Sequence, residues 1–149
     1  MSSILTVKNL SLSVGSETLL DNVIFDIHNG EIFALVGESG SGKSLTSLAI
    51  MRLLHDAIAV RSGAVHLKEK ALCVVPESQI QTIRGRSIAI IFQEPMSALN
   101  PVMTVGSQVA EVLQIHLGLK KDQIKEKVLS LFREVELKNP EERYSWYPH

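Results

Sequence analysis

Apolar positions change rhythm three times along this chain. "ILTVKNLSLSV" (4–14) alternates apolar and polar residues over part of its length, and "LLDNVIFDIH" (19–28) repeats the pattern after the turn-like "GSET". A period of two marks a strand with one buried face, so the pair predicts an antiparallel, half-exposed ribbon. "EIFALVG" (31–37) differs, because nearly every residue is apolar and the run follows the turn "HNG". That predicts a strand buried on both faces, as in a parallel sheet. "KSLTSLAIMRLLH" (43–55) has helical length and apolar residues nearly all round, which predicts a buried helix.

Further on, "AVRSGAVHL" (59–67) reads as strand and turn, and "PESQIQTIRG" (76–85) as a short helix opened by Pro76 and closed near Gly85. "SIAIIF" (87–92) predicts a second buried strand. After Pro101 the period is helical throughout. Val105, Val109, Val112 and His116 share one face, and Ile124, Val128, Leu131, Phe132 and Val135 another. A β-rich start, an α/β centre and an all-helical tail follow in order. The expected division is 1–93, an antiparallel β subdomain with an incomplete α/β core, and 94–149, the start of a helical subdomain.

Composition narrows the partners. A net charge of -1 provides no field toward nucleic acid or anionic lipid, so no nucleic-acid partner is expected. The single cysteine, Cys73 in "ALCVV", forms no internal disulfide and reads as a small buried apolar residue. The histidines show no ligand spacing, so surface or helix-end roles are expected of them. The start lacks the pattern of a signal peptide, and no apolar run approaches the roughly 20 residues that cross a bilayer. A cytoplasmic chain fits best. The charges of "KKDQIKEK" (120–127) read as the solvated side of a helix. The only Trp and both Tyr fall within the last seven residues, "RYSWYPH", where large rings gain by packing rather than fraying.

The strongest chemical signal is "GESGSGKS" (37–44), a full match to G-x-x-x-x-G-K-[ST] between an apolar run and a helix. Gly37, Gly40 and Gly42 allow the backbone to wrap tightly, and Glu38, Ser39 and Ser41 complete the loop. Its N–H groups, with those of the helix start at Lys43, Ser44 and Leu45, would face an anion. Lys43 would reach the β- and γ-phosphates, and the Ser44 hydroxyl would ligate a bridging Mg²⁺. A P-loop of this kind serves kinases, GTPases, helicases and transporters alike. The more discriminating stretch is "IIFQEPMSALNP" (90–101). On spacing, Gln93 either places its amide near Mg²⁺ and an attacking water, or merely caps a loop.

These blocks together resemble the ATP-binding subunits of ABC transporters, and more narrowly the oligopeptide/dipeptide/nickel importer branch. "LTVKNLSLSV", "GEIFALVGESGSGKS", "RGRSIAIIFQEPMSALNP" and "VGSQVAEVL" carry the resemblance, which covers essentially the whole chain. It implies an α/β P-loop NTPase of the ABC ATPase type, with an N-terminal antiparallel β subdomain and the start of a helical one, truncated. It implies ATP and Mg²⁺ as ligands, Gln93 as the Q-loop residue sensing γ-phosphate and metal, and a cytoplasmic-side peripheral location. Its partners would be transmembrane permease subunits, met through 93–100, and a second ATP-binding subunit, as a homo- or heterodimer. Where the family stacks an aromatic residue on adenine this chain has Val14, so contact with the base would be apolar and weaker.

In that branch a "YPH"-like tripeptide precedes the signature motif, so on the resemblance these residues form an N-terminal part of a longer subunit. The signature, the Walker B strand and the switch His would lie beyond it. The full subunit is expected to couple ATP hydrolysis to uptake of peptides or a related small solute such as nickel. The 149 residues alone are expected to bind nucleotide without turnover. Without a Walker B strand, "EIFALVG" would lack a neighbour, which predicts either an oligomer covering that edge or a distorted structure. Two competing expectations remain: an ABC-type ATPase outside transport, and a short protein that binds nucleotide or partners without hydrolysis.

Overall fold

The computed structural model describes residues 2–94 and 98–149. The chain forms two compact units, Met1–Arg84 and Gly85–His149. In the first, β1 (Ser3–Val14), β2 (Glu17–His28), β3 (Ile58–Leu67) and β4 (Lys70–Ala71) make an antiparallel sheet of order β2-β1-β3-β4. Helix α1 (Lys43–Met51) and helix α2 (Glu77–Ile83) complete the unit.

The incomplete alternation of β1 has a structural cause. Leu5 and Val7 are buried, then Leu10 and Leu12, so the inward phase slips by one residue between the pairs. Asn9 makes the slip by adopting a left-handed φ of 50°, and Asn22 on β2 does the same at 51°. The two side chains meet, Asn9 Nδ2 donating to Asn22 Oδ1 at 2.7 Å. On the other side lies Gly63 of β3, where a Cβ would stand 2.5 Å from the carbonyl oxygens of Lys8 and Asn9. Asparagine tolerates this backbone region and glycine has no Cβ to obstruct it. A line of bulges thus crosses three strands and returns Leu10 and Leu12 to the core face.

The predicted helix at 43–55 stops at Met51. Arg52 turns left-handed at φ 54°, and Leu53 N donates back to Leu48 O at 2.8 Å. Arg84 takes the freed carbonyls, its Nε donating to Met51 O and its Nη2 to Arg52 O, each at 2.8 Å. Its Nη1 also meets Glu77 Oε1 at 2.6 Å. Thr46, Ala49 and Ile50 form the inner face of α1, Met51 is buried at its end, and Ala49 shares a cavity of ≈230 Å³ with Leu10, Val60 and Val65 of the sheet. The predicted short helix opened by Pro76 is present as α2, with Ile80 and Ile83 buried.

Three expectations for this unit and the start of the next need correction. Residues 31–37 form no strand: Ile32 is 99% exposed and Val36 88%. Both edges of β1 are already taken by β2 and β3, and among the described residues no other strand pairs with this run. Its one aromatic, Phe33, stacks on Phe25 with ring centroids 4.8 Å apart. Residues 87–92 likewise form no strand, with only an isolated bridge at Ile88, and Ile91 is 95% exposed. Apolar composition marks a wish for burial, but a strand exists only with a partner. Cys73 is exposed, and its neighbour Leu72 is the buried residue.

Among the described residues the second unit carries α3 (Val105–Leu117), α4 (Lys121–Glu134) and α5 (Pro140–Arg143). Ile124, Val128 and Phe132 of α4 are its centre, with Val109, Ala110 and Leu113 of α3, Leu137 and Tyr144 against them. The inward face of α3 therefore runs through Gly106, Val109, Ala110 and Leu113, whereas the expected stripe included Val112, which is exposed. Apolar residues on more than one face of α3 fit two stripes, and contact with α4 and Tyr144 selects between them. Val135 follows the last turn of α4 and is exposed, so the expected stripe there ends at Phe132. Lys121, Lys125 and Lys127 lie on the solvated side of α4.

Candidate functional site

The P-loop residues come together in the first unit. Gly40 and Gly42 hold left-handed φ values of 82° and 87°, and Gly42 is the N-cap of α1. A Cβ on Gly42 would overlap the buried Leu20 side chain, so the loop passes directly against β2. Leu20 is a structural partner that the motif alone did not reveal. Gly37 is tight for another reason: a Cβ there would lie 2.6 Å from Ser41 Oγ. Ser41 N donates to Glu38 O at 3.2 Å, closing the loop on itself. Ser39 is exposed at its outer side.

The Lys43 ammonium folds back over this loop. Nζ donates to the carbonyl oxygens of Gly37 at 2.8 Å and Glu38 at 2.6 Å, and to Ser41 Oγ at 3.2 Å. All three bonds are solvent-exposed. Hydrogen bonds to phosphate oxygens, with charge on both partners, are roughly twice as strong as bonds between neutral groups. The lysine can exchange its carbonyl acceptors for an anion.

The start of α1 offers matching donors. No side chain caps it, and its first turn carries no acidic residue. The N–H groups of Lys43, Ser44 and Leu45 are among those a helix leaves unpaired. Thr46 is turned inward instead, its Oγ1 donating to Gly42 O at 3.0 Å. The exposed Ser44 hydroxyl has no hydrogen-bond partner among the described residues. Also among the described residues, no group of three His, Cys, Asp or Glu side chains could hold a metal. If Mg²⁺ accompanies a phosphate there, the exposed Ser44 hydroxyl is the side chain at the helix start that could ligate it, beside phosphate oxygens and water. Hard oxygen donors of this kind suit the ion.

Val14 ends β1 in the same unit, paired with Glu17 across the turn at Gly15 and with Ile58 of β3. Gln93 belongs to the second unit and is exposed. Of the expected partner-facing region 93–100, residues 95–97 lie outside the described residues. Beyond them, Leu99, Met103, Gln108, Val112, Leu113 and Leu131 line a cavity of ≈530 Å³ on the second unit.

Over its whole length the chain is 43% identical to the dipeptide transport ATP-binding protein DppD of Bacillus subtilis, covering 46% of that protein. It is 40% identical to the oligopeptide transport ATP-binding protein AppD of the same organism, covering 47% of it. The chain thus spans about half the length of the curated relatives it matches. In fold, 96% of it superposes on 60% of the dimeric structure of MJ0796, a bacterial ABC transporter cassette, with a TM-score of 0.77 at 23% identity. It therefore has the cassette's fold over the part covered, that of an α/β P-loop NTPase. The family model described as ABC transporter matches residues 20–146. With both the P-loop and the helices after it inside that match, the chain belongs to the ABC transporter family.

Proposed function

We propose that this chain is the nucleotide-holding portion of the ATP-binding subunit of an ABC importer for peptides or a related small solute such as nickel. One observation carries the reading: a glycine-shaped loop ends at an uncapped helix N-terminus, with a half-buried lysine folded across it. The backbone N–H groups around Gly40, Gly42, Lys43, Ser44 and Leu45 would hold the β- and γ-phosphates, and Lys43 would neutralise them. Mg²⁺ would shield phosphate charge, with the Ser44 hydroxyl toward it; the family resemblance gives Gln93 the sensing of γ-phosphate and metal. Val14 would give the base an apolar contact. The names of the relatives support transport of peptides as the setting.

In the same reading, the subunit works at the cytoplasmic side of the membrane and meets transmembrane permease subunits through 93–100. A second ATP-binding subunit completes the nucleotide site. Among the described residues no helix is long and apolar enough to cross a membrane. The 149 residues are expected to bind nucleotide and not to turn it over, because the resemblance assigns the general base to a segment outside them. Losing such a base typically costs 10²–10⁴-fold in rate.

Nucleotide selectivity and turnover on the 149-residue chain test this together. ATP and ADP should compete for one site and AMP should not, since only the first two carry a β-phosphate. Phosphate release should stay at the uncatalysed background. Equal binding of AMP would contradict phosphate recognition. Steady hydrolysis abolished by Lys43→Ala would contradict the expected lack of turnover.

A further inference from the structure

The first turn of α3 grips the chain on two sides. On one side, the Gln108 carboxamide holds the loop that leads into the helix. Its Nε2 donates to the carbonyl oxygens of Asn100 and Met103, each at 3.0 Å, and its Oε1 accepts from Asn100 N at 2.9 Å. Both amide donors and the acceptor are spent on this one loop. On the other side, Val105 N donates to Trp146 O at 2.9 Å and Gly106 N to Tyr144 O at 3.0 Å. These N–H groups belong to the set that a helix cannot satisfy internally. Gly106 is buried, and a Cβ on it would overlap both the carbonyl and the ring of Tyr144.

Between the two grips the turn is locked. Ser107 N donates to Thr104 Oγ1 at 3.3 Å, and Ser107 Oγ donates to Thr104 O at 2.7 Å. The aromatic end of the chain is thus held by backbone bonds to a helix start, although the Trp146 ring itself is half exposed, with the Arg143 guanidinium 5.3 Å from its centre.

We infer that this turn is a two-sided clamp that makes residues 98–104 and 144–146 move as one body, with Gln108 and Gly106 as its positioning residues. The loop side walls the ≈530 Å³ cavity through Leu99 and Met103. An occupant that shifts the loop draws on Gln108, and the shift reaches Trp146 through four residues of helix. The clamp stands on this geometry alone. Its meaning for transport, a partner-facing loop tied to the segment 144–146, rests on the function proposed above.

Backbone amide exchange and acrylamide quenching of Trp146, the only tryptophan, test the clamp on the 149-residue chain. In Gln108→Ala the Asn100 amide should exchange about tenfold faster, the scale of one lost hydrogen bond. The Val105 and Gly106 amides should accelerate with it, and Trp146 should become easier to quench. Gln108→Glu keeps an acceptor for Asn100 N and loses both donated bonds, so it should fall between parent and alanine variant. Gly106→Ala should act in the reverse direction, freeing 144–146 and loosening Asn100. If Gly106→Ala does not fold, the two Gln108 variants decide alone, since neither adds an atom near Tyr144. A Gln108→Ala chain with a freed Asn100 amide but unchanged Val105, Gly106 and Trp146 would overturn the inference. Mg·ATP binding should be unaltered in the Gln108 variants, so failure of the clamp and failure of the nucleotide reading are separately visible.

Discussion

Replacing Gly42 by alanine isolates what holds the P-loop in shape. The new Cβ meets two obstacles, a left-handed backbone at φ 87° and the side chain of Leu20. Holding an L-residue in that backbone region costs about 1–2 kcal/mol. Forcing a methyl group into a filled site adds about 1–3 kcal/mol. The sum is about 2–5 kcal/mol, a large share of the roughly 5–15 kcal/mol that stabilises an ordinary domain. Gly40→Ala provides the control: its φ of 82° is equally adverse, but a Cβ would have nothing within 4 Å. It should cost only the backbone part, about 1–2 kcal/mol. Gly37 has no positive φ, and its Cβ would meet only the Ser41 side chain: the Oγ at 2.6 Å, which can rotate away, and the Cβ at 3.3 Å, which must yield by a few tenths of an ångström. Gly37→Ala should therefore cost under about 1 kcal/mol.

Urea denaturation followed by far-UV circular dichroism reads all three variants. A Leu20→Ala background supplies the decisive cross-check, because removing Leu20 opens the space that the new methyl group needs. Leu20→Ala alone should cost about 2–5 kcal/mol, as for other buried leucines. In that background Gly42→Ala should lose its collision part and cost no more than Gly40→Ala. Equal costs for Gly42→Ala and Gly40→Ala in the parent chain would refute the reasoning. So would the absence of coupling between positions 20 and 42 in the double-mutant cycle.

Other outcomes follow from the same structure. Ile32→Ala should change stability by no more than about 0.5 kcal/mol because the side chain is exposed, whereas Leu12→Ala, fully buried, should cost about 2–5 kcal/mol; comparable losses would mean that 31–37 is packed. The Glu141 carboxyl is held below its ordinary value of 4.5 by a backbone hydrogen bond first and then by the Arg133 guanidinium, with which it forms an ion pair. Its contribution to stability is present above that value and is lost as pH falls through the depressed folded value. Arg133→Gln should raise the Glu141 midpoint part of the way toward 4.5 in an NMR titration, and an unmoved midpoint would refute the pairing.

How legible the chain was depends on whether the deciding contact is local. The loop 37–44 could be read because glycine spacing, lysine and helix start lie within one turn of each other. The β1–β2 ribbon could be read because period two is a property of each strand alone. The bulges at Asn9, Asn22 and Gly63 could not, since they arise from the pairing of three neighbouring strands. The end of α1 is set by Arg84, which reaches back 33 residues to the Met51 carbonyl. The runs 31–37 and 87–92 show the opposite failure, an apolar pattern without a ladder to join. On α3, nothing in the sequence separates Gln108 from the other polar residues, and only its three bonds to the loop mark it out.

Calorimetric titration of the 149-residue chain with Mg·ATP, beside Lys43→Ala, asks whether residues 37–45 hold nucleotide phosphates. Saturable binding to one site is expected, weakened in Lys43→Ala by about 1.5–3 kcal/mol, roughly ten- to a hundredfold in Kd. Absence of binding by the parent chain, or binding unchanged by Lys43→Ala, would contradict that role for 37–45.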